Sequence, residues 1–152
     1  MNEAGLRTQL EEFLRGGFAP TLILLREFDH NKAAIIMDGL HFSAWVLLGH
    51  MRARQRTLLE FMKSPATQQQ VWEDAFWPRN HQPVSREEWL AAIGEFGEEL
   101  EEIIAIVRDP ATDLFRLHSN GKSIYWAATA IFHHNAYHIG QLKTIGRQLG
   151  VW

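Results

Sequence analysis

Four long stretches of this chain repeat their apolar residues at the α-helical period, and none shows the two-residue alternation of a half-buried strand. Asn2 to about Arg15 reads as an amphipathic helix with Leu6, Leu10, Phe13 and Leu14 on one side, ended by Gly16-Gly17. Pro20 suits a first turn, so a short leucine-rich helix continues through Thr21 to Phe28. Residues 29–42 lack a clear period and read as a connection. Ser43 is the expected N-cap of a helix over about 44–63, whose Val46, Leu47, His50, Leu58 and Phe61 form one stripe. Ser85 and Glu88 have the spacing of a capping box that opens a helix to about Val107. A short turn at Asp113–Leu117 leads to Gly121, and the last helix covers about Ser123 to Leu149, with Gly150 just past its end. Four such helices predict an all-α four-helix bundle. The connection from Ser64 to Val84 is long for a compact domain and carries Trp72, Phe76 and Trp77. Rings of that size need cover, whether by capping the core, lying over a site or joining a dimer interface.

With 152 residues, the chain fits one domain spanning 1–152, large enough for a core without staples. Apolar residues at 46% and charged residues at 22% are ordinary globular values. There is no cysteine, which excludes disulfides, thiolate metal sites and a thiol nucleophile in the chain itself. A net charge of −3 with scattered Lys and Arg argues against nucleic-acid binding. No stretch has the length of a membrane span or the pattern of a secretory leader, so a cytoplasmic protein is expected.

The chemistry concentrates in HHNAYHIGQ, His133 to Gln141. His134 and His138 are four apart, so both imidazoles share one helix face, and Gln141 continues it. Ala127, Ala130, Ile145 and Leu149 extend that face, which turns the pair inward. His133 is rotated about 100° away. A selective site needs a third ligand from a neighbouring apolar stripe, and His50 fits, whereas His41 lies near a helix start and His30, His81 and His118 fall in connections. Three imidazoles suit Zn²⁺, Ni²⁺, Fe²⁺ or Cu²⁺ and leave room for water or substrate. The competing reading is a buried cluster in which the histidines bond to one another or to Gln141 without a metal. The zincin pattern H-E-x-x-H is excluded, because Asn135 stands where that motif places its glutamate base.

HFSAWVLLGHMRARQRTLLEF (His41–Phe61) taken with HHNAYHIGQLKTIGRQLGVW (His133–Trp152) resembles the DinB superfamily of DinB/YfiT-like metalloenzymes. The likeness to one branch covers nearly the whole chain, including LRGG near the start and WPRNHQPVS in the long connection. It implies an up-down-down-up four-helix bundle that forms a homodimer. It also implies a divalent transition metal on His50, His134 and His138, nickel or zinc first, with iron, copper or manganese as alternatives. Some relatives move thiols. The implied activity is therefore thiol transfer, or hydrolysis, on a small-molecule substrate; the alternative is a non-catalytic metal-binding or dimerisation bundle. Gln141 is expected to hydrogen-bond a ligand imidazole or metal-bound water, and Tyr137 to pack against a neighbouring helix. Two positions depart from the family: Gly49 replaces a frequent glutamate beside the first histidine, and Pro20 a frequent histidine. Gly49 would remove a carboxylate supporting the ligand set.

Overall fold

The computed structural model describes residues 2–16, 18–65, 76–80 and 85–152, so Trp72 and His81 lie outside the described residues. Five α-helices account for the described chain: α1 (Glu3–Gly16), α2 (Ala19–Glu27), α3 (Ala44–Lys63), α4 (Arg86–Arg108) and α5 (Ile124–Gln148). No strand is present among the described residues, apart from one isolated bridge between Ile36 and Ser43. None of the helices is long and apolar enough to cross a membrane.

Local chemistry sets the helix ends. Ser43 and Ser123 cap α3 and α5, each hydroxyl accepting from the N–H three residues on, Val46 at 3.3 Å and Trp126 at 3.1 Å. At α4, Ser85 Oγ accepts from the Glu88 N–H at 3.1 Å while Glu88 accepts from the Ser85 N–H at 3.0 Å. A cap of this kind stabilises a helix by about 1 kcal/mol. At the far end of α5, Gly150 takes φ +64°. That left-handed turn lets its N–H reach the Arg147 carbonyl and the Val151 N–H reach the Gly146 carbonyl, which satisfies two acceptors of the last turn.

The central element is α3, which packs along α5 on one side and α4 on the other, with α1 laid across α4 and α5 and α2 against α4. Leu47, Leu58, Phe61, Trp89, Phe96, Ile103, Ala127 and Leu142 form part of one continuous apolar cluster. Trp89 is fully buried, and its indole N–H donates to the Leu25 carbonyl at 2.7 Å, which removes the cost of burying a polar atom. Phe13 departs from its expected place beside Leu10 and Leu14. It is 55% exposed and meets only the edge of the bundle, its ring 5.5 Å from that of Phe132. It sits at the margin of the apolar stripe, about 100° from Leu14.

The stretch between α2 and α3 is ordered without being regular. Asp29 caps a 3₁₀ turn at His30–Lys32, and Gly39 takes φ +82° to bring the chain back to Ser43. The pairing of α3 with α5 matters most for function, because it sets the inner faces of HFSAWVLLGH and HHNAYHIGQ against each other.

Candidate metal centre

Helical spacing alone puts His134 above His138 on α5, and the packing of α5 on α3 brings His50 to meet them. Nε2 of His50 lies 3.0 Å from Nε2 of His134 and 3.2 Å from Nε2 of His138. His50 and His138 are buried, at 4% and 7% exposure, and His134 is half-buried. Three nitrogens from two helices thus converge on one point, and the cluster can hold a metal ion.

The outer nitrogens decide which tautomers face inward. His138 Nδ1 lies 2.7 Å from Gln141 Oε1, an acceptor, so the ring proton belongs on Nδ1 and the Nε2 lone pair points to the centre. His134 Nδ1 faces Asn135 Oδ1 at 3.5 Å. The orientation of that amide is fixed from behind, because Asn135 Nδ2 donates to Gln55 Oε1 at 2.9 Å and Gln55 Nε2 donates to the Phe96 carbonyl at 2.9 Å. Asn135 therefore has its oxygen, and not its NH₂, to offer His134. On His50 the Phe76 backbone carbonyl acts on the ring, but the contact falls short of hydrogen-bond geometry and Nδ1 is buried without a partner.

Two inward lone pairs thus face His50 Nε2, which can offer at most one hydrogen to both. A shared cation satisfies such a set, and a proton is a poor one. Burial first, and the neighbouring His138 next, push His50 down to about 4. The same causes, with His50 added, push His134 to about 4, and burial lowers His138 as well. A metal ion meets the geometry better. Nitrogens held at about 2.0–2.1 Å and subtending angles between octahedral and tetrahedral lie roughly 2.9–3.4 Å apart, which brackets both observed separations.

One side of the cluster is covered from the connection between α3 and α4. The Trp77 indole stacks on His50, with ring centroids 3.8 Å apart and planes 11° from parallel, and Phe76 is buried beside it. Among the jobs open to these rings, Trp77 thus takes a place over the histidines. This close approach explains Gly49 differently from a lost carboxylate. A Cβ on Gly49 would sit 2.6 Å from Pro78 Cγ, so only glycine lets the segment behind Trp77 settle on α3.

Tyr137 is a correction. It does not pack against a neighbouring helix: it is 62% exposed, its ring lies edge-on to His138 at 4.9 Å, and its hydroxyl accepts from Gln141 Nε2 at 3.4 Å. The spacing that rotates it off the His138 face turns it to solvent, since α5 is covered by α3 on the ligand side. Tyr137 and Gln141 together wall a groove of about 320 Å³ that also includes Asp38, Leu40, Thr144 and Gln148. The remaining described histidines stay apart from the centre: His133 is exposed on α5, His30 and His41 lie in the α2–α3 connection, and His118 follows α4 with its ring against Phe61. Sequence reasoning missed Trp77 as a neighbour of His50, and missed Asn135 and Gln55 as the amides behind His134; the i, i+1 step from His134 to Asn135 was the available signal for the latter.

No protein-family model matches the chain, and neither a curated protein nor a solved structure matches it.

Proposed function

We propose that this chain is a metal-dependent enzyme of the DinB superfamily, with His50, His134 and His138 holding one divalent ion, nickel or zinc first. The observation that carries the reading is the inward convergence of three Nε2 atoms, with Gln141 and Asn135 presenting acceptors to the outer nitrogens of two of the rings. Such outer partners fix the ring tautomer and raise ligand basicity in metal sites. An ion bound there would supply Lewis acidity, lowering the pKa of a coordinated water or thiol.

The chain's own residues have separate tasks in this reading. Gln141 orients His138, the Asn135–Gln55 amide pair orients His134, and Trp77 keeps water off the His50 face. The groove beside Gln141 and Tyr137 adjoins the centre through the Gln141–His138 contact, and a small-molecule substrate would approach from that side. The cluster contains no carboxylate among the described residues. Hydrolysis needs a general base to take a proton from water, whereas a metal-bound thiol already favours its thiolate. Thiol transfer therefore fits these residues better than hydrolysis. The up-down-down-up course of the helices and a homodimer belong to the same reading through the family, and a cytoplasmic setting joins it from the sequence pattern alone.

Elemental analysis of protein purified without a histidine tag tests it, alongside His134→Ala. About one nickel or zinc per wild-type chain, lost in the variant, is the expected result. A wild type that takes up no metal, or a variant that retains it, overturns the reading.

A further inference from the structure

Three arginines alternate along α3, and they do not share one job. Arg52 and Arg56 both reach α4: Arg52 pairs with Glu95, and Arg56 with Glu95 at 3.2 Å and Glu99 at 2.6 Å. Arg54, between them, turns to the opposite side and shares the face of His50, one helical turn away. It is half-buried, and its guanidinium sits 5.2 Å over the ring of Phe76, the residue before Trp77. No carboxylate among the described residues makes an ion pair with it, although Arg7, Arg15, Arg52, Arg56 and Arg108 each have a glutamate.

With no carboxylate partner among the described residues, a half-buried guanidinium keeps N–H donors for another acceptor. The cation–π contact with Phe76 anchors the guanidinium on this side of α3. Its place on the His50 face, over the ring next to the Trp77 that stacks on His50, sets it beside the centre.

Resting on the metal-centre reading above, we infer that Arg54 is a substrate-binding residue that selects small molecules carrying a carboxylate a few bonds from the atom that meets the metal. The i, i+4 spacing sets the reach, with side-chain origins about 5–6 Å apart. The forked donors match a carboxylate in a paired, two-bond contact. One guanidinium balances one negative charge, so a carboxylate suits it better than a phosphate dianion.

Two thiols of equal chain length make the test, 3-mercaptopropionate and 3-mercapto-1-propanol, titrated into Co²⁺-loaded full-length protein and followed by the cobalt–thiolate absorption. Wild type should bind the carboxylate thiol tighter by about tenfold or more, as one charge-assisted contact implies. Arg54→Met should take up Co²⁺ normally and lose the preference, and Arg54→Lys should keep part of it, since a point charge lacks the paired geometry. The wild-type preference should also shrink as salt is raised, a readout that needs no variant. Equal binding of the two thiols by loaded wild type, or a preference that survives Arg54→Met, overturns this proposal alone. A wild type that takes up no Co²⁺ overturns the metal-centre reading and this proposal together.

Discussion

Arg7 on α1 and His50 on α3 are both buried polar residues at helix contacts, and their surroundings differ in kind. Around Arg7 donors meet acceptors. Its guanidinium donates to the carbonyls of Val107 at 2.7 Å, Asp109 at 2.8 Å and Thr112 at 2.6 Å, and it pairs with Glu3. Those carbonyls include the orphaned end of α4, so the cluster finishes a helix and ties α1 to it. Around His50 two acceptors meet at most one donor: two imidazole lone pairs face its Nε2, and its Nδ1 has no partner. A complete polar network stabilises by itself; an incomplete one costs free energy until something enters it. The first is architecture, and the second has the form of a binding site.

That contrast breaks first at Arg7, where the largest loss is expected. Arg7→Met leaves three carbonyls without their donor and should destabilise the protein by about 3 kcal/mol, with or without metal. Thermal unfolding should show a fall of roughly 6–12 °C in Tm. Added Zn²⁺ or Ni²⁺ should raise the Tm of this variant and of the wild type by the same amount. An Arg7→Met protein that folds but no longer responds to metal would mean that the two clusters are not independent.

Acid sharpens the comparison from the other side. His50 and His134 are held near 4 in the folded state against about 6.5 in the unfolded chain. Between those values the unfolded chain binds protons that the folded one refuses, so stability is full above about 6.5, declines as pH falls towards 4, and flattens below. Melting curves of metal-free protein should show this decline, and His134→Ala should remove part of it. Since protons also compete with metal for the same nitrogens, a chelator-free metal complex should resist acid further than free imidazole does, releasing its ion below pH ~6. A metal-free wild type with constant Tm from pH 7 to 5 would remove the burial argument.

How far the sequence reaches follows from which interactions are local. The caps at Ser43, Ser85 and Ser123, the turn at Gly150 and the shared face of His134, His138 and Gln141 are set within a few residues, so spacing predicts them. His50 was reachable by one further step, because an imidazole in an apolar stripe needs a partner from the opposing helix. The stack of Trp77 on His50 depends on how a long connection returns across α3, and no period in the sequence encodes that path. Arg54 was hidden for a related reason: three alternating arginines look alike until the packing of α4 shows which two it occupies. Tyr137 was misplaced because rotation around α5 says which side a residue faces but not whether anything lies there.

Gly49 gives the smallest expected effect, and it tests the cover and not the ligands. Its missing Cβ is filled by Pro78 Cγ, at 2.6 Å from where that carbon would be. Proline cannot swing aside as a long chain end can, so Gly49→Ala must push residues 76–80 away from α3. Overpacking of this kind costs roughly 1–3 kcal/mol, and alanine's better helix propensity recovers part of it, about 1 kcal/mol. The net change in Tm should therefore be small. The local change should not be: displacing Pro78 lifts the Trp77 ring from His50, and the His50 ring protons should lose the upfield shift that a stacked indole imposes. Release of bound Zn²⁺ to a chelator should speed up as the covered face opens, while the equilibrium amount bound stays near one per chain because all three ligands remain. Trp77→Leu should reproduce the faster release without touching Gly49. Should Gly49→Ala leave both the His50 shift and the release rate unchanged, the glycine is not what seats Trp77, and its place beside the first histidine has to be explained by something other than this contact.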